Sequence, residues 1–252
     1  MRPAAELRAK IASGEPTLGV IAIEHVWVGL VEICMKAGLD YLIVDGEHAS
    51  PTGQTLVDVF AFGRIAGFPV LYRPPKTDAD SVRLALDMGP CGLMLPMVNE
   101  PAQLDAVRDG IYLPPRGWRR PGGAGNRWVS GINYDNWKTE VEDDLIIMPQ
   151  IESKIGLANV DAIAAHEVTT HLACGPYDLS AHLGVLFDPA HPVLLEALRQ
   201  AKSAAERHGK TLWAIGPPAM IGPLGLHFYA LTEPVSFMEA KLKELVMATR
   251  GG

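Results

Sequence analysis

Residues 41–48 read Tyr41-Leu42-Ile43-Val44-Asp45-Gly46-Glu47-His48, an unbroken apolar run that gives way abruptly to ionisable side chains. A run apolar at every position, rather than at alternate ones, marks a strand covered on both faces, with helices on one side and a core on the other. The abrupt polar end places carboxylates and an imidazole where that strand emerges. The same pattern recurs on either side of it. Strands are expected at Thr17–Ile23, Tyr41–Asp45, Val70–Arg73, Gly92–Val98, Leu145–Ile151, Thr170–Cys174, Thr211–Ile215 and Phe228–Leu231. Helical patterns lie between them. Val26–Ala37 stops at Gly38, and Pro51 and Thr52 open a helix that ends at Gly67. Asp78–Met88, Pro101–Arg108, Leu157–Ala165, Pro192–His208 and Phe237–Thr249 continue the series. Eight strands alternating with helices predict an α/β fold of the (β/α)8 type, a TIM barrel, in one domain spanning 1–252. A doubly wound sheet is the competing architecture. It lacks its signature, because Gly123 and Gly125 follow no strand and precede no third glycine, so no nucleotide cofactor is expected.

Composition narrows the function classes. The 252 residues are 48% apolar, which excludes a disordered chain, and 22 Lys+Arg against 29 Asp+Glu give a formal charge of −7. That sign argues against a nucleic-acid backbone or an anionic membrane surface as partner. Small anions stay open, since one arginine or a metal reverses the field inside a cleft. The apolar runs fall far short of a membrane span, and Met1–Gly14 is charged and helix-like, without an apolar signal core. Cys34, Cys91 and Cys174 cannot all pair and sit among apolar neighbours, as expected of buried thiols in a cytoplasmic protein.

Two spacings break the rhythm. The segment Tyr112–Glu140 between the fourth and fifth strands is rich in proline, glycine and aromatics, including Pro121, Trp118 and Trp128. It reads as a lid or rim, or as an aromatic-stapled loop covering barrel or subunit surface. The seventh unit is short, with room for one or two helical turns between Gly216-Pro217-Pro218 and Leu226.

Barrel chemistry is sought at strand C-termini. Asp45, Glu47 and His48 end the second strand, and ionisable groups there are costly unless they meet solvent or one another. A histidine beside a carboxylate makes a general base; a salt-bridged loop is the structural alternative. Arg73 ends the third strand before Pro74-Pro75, placed to hold a carboxylate or developing oxyanion, or to pair structurally with Asp45 or Asp87. Glu152 and Asp178 leave the fifth and sixth strands on the same rim, and two carboxylates suit a hard divalent ion such as Mg²⁺ or Mn²⁺. Singly, Glu152 could serve as a cap and Asp178 in an Asx turn. Gly175-Pro176 and the run to Ala181 offer backbone N–H groups at a short helix start. No strand interior carries a lysine, so a Schiff-base mechanism is not expected.

The chain resembles the HpcH/HpaI aldolase family, the metal-dependent class II pyruvate aldolases. The resemblance rests on Asp45-Gly46-Glu47-His48-Ala49, Arg73-Pro74, Leu86-Asp87-Met88-Gly89, Leu95-Pro96-Met97-Val98, Gln150-Ile151-Glu152 and Gly175-Pro176-x-Asp178-Leu179-Ser180. It implies a barrel whose last helix swaps between subunits of a homo-oligomer, usually a hexamer. It implies a divalent ion (Mg²⁺, Mn²⁺ or Co²⁺) on Glu152 and Asp178 that takes pyruvate through its carboxylate and keto oxygens. Arg73 would stabilise the enolate oxygen, and His48 supported by Asp45 would move the proton. Asp87 belongs to the same catalytic set, and Gln150, Gly175, Pro176 and Ser180 to the part that holds pyruvate. The chain departs from the family pattern at Gly117-Trp118-Arg119-Arg120-Pro121 and at Leu231-Thr232-Glu233-Pro234. The expected reaction is cleavage of a 4-hydroxy-2-oxo acid to pyruvate and an aldehyde, and its reverse. Oxaloacetate decarboxylation, a CoA-thioester lyase and a non-catalytic oxo-acid-binding barrel are the competing readings.

Overall fold

In the computed structural model, which describes residues 1–49, 51–120, 127–128, 134–186 and 188–251, the apolar runs pair side by side in chain order and close on themselves. They are β1 (Thr17–Ala22), β2 (Tyr41–Asp45), β3 (Val70–Arg73), β4 (Gly92–Leu95), β5 (Ile146–Ile151), β6 (Leu172–Cys174), β7 (Leu212–Ile215) and β8 (Phe228–Ala230). Every pairing is parallel, and β8 returns to β1 with Phe228 opposite Thr17 and Ala230 opposite Gly19. The (β/α)8 barrel is therefore formed. β4 is shorter than its apolar run because Pro96 donates no hydrogen bond and Met97 turns left-handed at φ 50°.

Helix boundaries follow the capping chemistry of the sequence. α1 (Arg2–Ser13) and α2 (Val28–Lys36) precede α3 (Gly53–Ala66), which Thr52 caps by accepting from the Thr55 amide and which Gly67 ends at φ 70°. α4 (Ala79–Met88) is capped by Asp78, and α5 (Pro101–Ile111) opens on a Glu100/Gln103 capping box. α6 (Tyr134–Trp137) runs into a π-helical turn. The single helix expected over 157–165 is two, α7 (Lys154–Ala158) and α8 (Val160–Ala165). They break at Asn159, whose side-chain amide donates to the Asn99 carbonyl at 2.8 Å. α9 (Pro176–Leu183), α10 (Pro192–Arg207) and the one-turn α11 (Pro218–Ile221) follow, the last filling the short seventh unit as expected. α12 (Pro234–Arg250) buries none of its residues, and Phe237, Met238, Leu242, Leu245, Val246 and Met247 stand exposed on it. Among the described residues no helix is long and apolar enough to cross a membrane.

Inside the barrel, Trp213 donates from Nε1 to the Tyr41 hydroxyl at 2.7 Å, and Tyr41 meets Phe228 edge-on. Gly19 is required here, since a Cβ on it would lie 2.4 Å from the Tyr41 ring. At the strand N-termini, His171 is buried edge-on against Phe228, and neither ring nitrogen has a hydrogen-bond partner among the described residues. Burial, reinforced by Arg8 on α1, Lys210 before β7 and His227 before β8, pulls its pKa down to about 3. The folded ring stays neutral while an unfolded histidine protonates near 6.5, so the unfolded chain binds the extra proton between those values. Stability should therefore fall as pH drops from about 6.5 towards 3, by on the order of a few kcal/mol at the acid end. Urea titrations at pH 7 and pH 4.5 should show a smaller loss for His171→Leu than for wild type. Equal losses would exclude His171 as the source.

Candidate active site

The register of β2 and β3 sets Asp45 directly opposite Arg73, and the two side chains meet as they leave the barrel. Arg73 donates from Nε to Asp45 Oδ1 at 2.8 Å and from Nη2 to Oδ2 at 2.7 Å, a two-pronged pair. Asp45 is 0% exposed and also accepts the Glu47 amide at 2.8 Å. The remaining prong of Arg73, Nη1, lies 3.3 Å from Gln150 Oε1 and 3.2 Å from the Glu47 carboxylate. Gln150 in turn donates from Nε2 to Glu152 Oε2 at 2.6 Å, and the left-handed turn at Met97 aims its amide at Glu152 Oε1, also at 2.6 Å. Gly175 passes close above this row: a Cβ there would lie 2.6 Å from Glu152 Oε2 and 2.7 Å from Gln150 Nε2.

Of these groups Arg73, Gln150 and Gly175 line a cleft of about 760 Å³, which Asp178 enters from the first turn of α9, while Asp45, Glu47 and Glu152 lie behind that lining. The negative charges are crowded. Burial, with Glu47 and Asp178 adding to it against the pull of the Met97 amide and Arg73, pushes the Glu152 carboxyl up to about 8. Burial also raises Glu47, with Asp45 and Asp178 acting in the same direction. Glu47 Oε2 is buried without a well-aligned hydrogen bond. Hard oxygen donors, too much buried negative charge and a floor kept open by glycine fit a divalent cation. Among the described residues no three His, Cys, Asp or Glu side chains form a ready-made cage. Glu152 and Asp178 are the carboxylates here that could serve as ligands, with water or substrate oxygens completing the set.

The sequence profile of the HpcH/HpaI aldolase/citrate lyase family matches residues 28–214, most of this chain, from α2 into β7. The chain belongs to that family. A hydroxypyruvate/pyruvate aldolase of Pseudomonas aeruginosa is 31% identical over 99% of this chain and 94% of its own length. Another, of Deinococcus radiodurans, is 35% identical over 88% of this chain and 78% of its own. The crystal structure of the HpcH/HpaI aldolase from Desulfitobacterium hafniense superposes with a TM-score of 0.89 at 28% identity, covering 97% of this chain and 96% of that one. As a member of the HpcH/HpaI family, the protein is an enzyme of the carbon–carbon lyase class.

Of the residues singled out in the HpcH/HpaI motifs, the fold brings His48, Arg73, Gln150, Gly175 and Asp178 to one cleft, with Glu152 and Asp45 immediately behind them. Three placements differ from those the resemblance implies. The carboxylate beside the His48 ring is Glu47, 3.7 Å from Nε2; Asp45 is taken up by Arg73 and meets only the His48 backbone amide, at 3.4 Å. Asp87 is absent from the cleft lining. It sits at the end of α4, bonded at 2.8 Å to Arg119, which also lies over the Trp137 ring. Pro176 and Ser180 face a smaller void behind the cleft, and the Ser180 hydroxyl donates back to the Tyr177 carbonyl at 2.6 Å.

No described residue of the segment 112–140 lines the cleft. Its described part packs on the outside, with Arg116 stacked on Tyr112 and Trp128 beneath Arg64, so it follows the aromatic-stapled reading. Positions 121–126 and 129–133 of that lid expectation lie outside the described residues. Glu47 and Glu233 take no assigned role in the sequence motifs, and the Met97 amide and Glu24 do not figure there at all. Yet the structure sets Glu47 and the Met97 amide around Arg73 and Glu152 and puts Glu24 and Glu233 on one wall of the cleft. Glu47 was legible, lying inside the quoted motif. The Met97 amide was not, because its direction depends on a backbone turn.

Proposed function

We propose that the protein is a divalent-metal-dependent aldolase that cleaves a 4-hydroxy-2-oxo acid to pyruvate and an aldehyde and runs the reverse addition. The observation that carries this reading is the convergence of Arg73, Gln150 and Asp178 on one cleft, with Glu152 hydrogen-bonded to Gln150 just behind it and no lysine among the described lining residues. Held by Glu152 and Asp178, Mg²⁺, Mn²⁺ or Co²⁺ would supply Lewis-acid polarisation of the keto group.

The chain's own groups account for the rest. Arg73, fixed by Asp45 and flanked by Gln150, is preorganised beside the oxygen that gains charge as the enolate forms. In cleavage, the C4 hydroxyl gives its proton to a base as the C3–C4 bond breaks. The bonding pair passes towards the C2 oxygen, and C3 then takes a proton to become the pyruvate methyl. His48, half-exposed at the rim with Glu47 beside its Nε2, is the group placed to move those protons. α9 begins at Gly175 without a side-chain cap, and its first turn suits a substrate carboxylate.

Six large apolar side chains exposed along α12 support docking of this helix on a second copy, so a homo-oligomer, a hexamer in the family pattern, is part of the proposal. The buried, unpaired Cys34, Cys91 and Cys174 suit a reducing compartment and support a cytoplasmic location.

The test needs no aldehyde. Pyruvate in D₂O with enzyme and Mn²⁺ should exchange its methyl protons, EDTA should stop the exchange, and Mn²⁺ should restore it. Borohydride with pyruvate should leave every lysine unmodified. A pyruvyl-lysine adduct, or no exchange above buffer with saturating metal, would overturn the proposal.

A further inference from the structure

The cleft extends well beyond the corner formed by Arg73, Gln150 and Glu152, and a three-carbon acid does not fill it. Its far wall is built from the ends of β1, β7 and β8 and the first turn of α12. Ile23, Ile215, Pro217 and Leu231 make that wall apolar, and the charged side chains it carries are Glu24 and Glu233. Among the described lining residues Arg73 is the one Lys or Arg, and its guanidinium is committed to Asp45. The N-terminus of α12 would be the natural seat for an anion on this wall. Glu233 already occupies it, accepting the Ser236 amide on Oε2 at 2.7 Å. The other oxygen, Oε1, is buried and has no hydrogen-bond partner among the described residues.

We infer that this wall is the acceptor subsite and that Glu233, seconded by Glu24, makes it select uncharged aldehydes over aldehydes that carry a carboxylate. A carboxylated aldehyde would bring a second negative charge against Glu233 in an apolar surround, on a wall whose described residues include no Lys or Arg. The selection is thus chiefly a repulsion, the kind of device by which a site rejects a near neighbour of its substrate. The inference rests on the aldolase reading above and deepens it.

Glycolaldehyde and glyoxylate test it, having two carbons each and differing in a hydroxymethyl against a carboxylate. With saturating pyruvate and Mn²⁺, wild-type enzyme should show a higher kcat/KM for glycolaldehyde. Glu233→Gln keeps an oxygen for the Ser236 amide and loses the charge, and it should shift the preference towards glyoxylate by about tenfold. Glu24→Lys leaves the helix cap untouched and should shift it in the same direction. A wild-type preference for glyoxylate, or an unchanged ratio in both folded variants, overturns the inference while pyruvate exchange in D₂O leaves the aldolase reading standing. Wild-type enzyme without exchange or condensation overturns both.

Discussion

Glu152→Gln and Asp178→Asn should each abolish the Mn²⁺-induced rise in Tm and all measurable aldol turnover while leaving the barrel folded. Wild-type protein at a metal concentration a hundredfold above Kd gains about 2.7 kcal/mol from binding, a shift easily read by thermal melting. A site with two carboxylates loses most of its affinity with either one, because hard-ion binding scales with ligand charge. The metal-free proteins supply the control. In the wild type, burial and the neighbouring Glu47 and Asp178 oppose the charge on Glu152. Glutamine keeps one acceptor oxygen for the two donors that Glu152 now serves, the Met97 amide and Gln150 Nε2, so each variant's metal shift is read against its own metal-free Tm. A wild-type-sized Mn²⁺ shift in either variant, or full turnover by metal-free Asp178→Asn, would remove the metal from the mechanism.

The second large effect is at Arg73, where the structure separates two consequences. Arg73→Ala should slow pyruvate proton exchange by about 10²–10³, the usual cost of losing one preorganised oxyanion partner. It should also destabilise the fold by about 3–5 kcal/mol, because Asp45 is fully buried and would lose the two-pronged partner that compensates its charge. The double variant Asp45→Asn/Arg73→Ala distinguishes them. Stability measured by urea titration should recover in large part, while exchange should stay slow. Wild-type exchange in folded Arg73→Ala would show that the guanidinium is structural. Arg73→Lys should recover only part of either property, since an ammonium cannot reproduce the fork on Asp45.

Both expectations began as a reading of strand ends, and the structure changed what each residue is asked to do. The second strand announced an ionisable cluster with a histidine next to carboxylates, and the family resemblance implied Asp45 as the support of His48. Parallel pairing of β2 with β3 gives Asp45 to Arg73, which leaves Glu47 as the carboxylate nearest the imidazole. Asp87 lies in a recognisable motif, but its side chain turns to Arg119, contributed by a loop more than thirty residues further along the chain. Ser180 is close to Asp178 in sequence, yet on α9 the two positions face different spaces, one the cleft and the other the void behind it.

The barrel itself was legible because its signal is local and repeated. Apolar runs long enough for a strand, each closed by a turn or cap, specify β and α segments through backbone hydrogen bonding and periodic burial, and eight such units close in only a few ways. The rim chemistry was legible as a set of residue types, since polar groups ending buried strands converge on one mouth. Partnership was decided by the tertiary structure alone. Which carboxylate serves which cation depends on register and on the direction of single turns such as Met97. It depends also on competition among groups far apart in the chain, such as Asp45 and Glu47 for Arg73 or Glu47 and Asp178 around Glu152. Those choices are made through space, where Coulomb energy and desolvation act on distances that residue order does not encode.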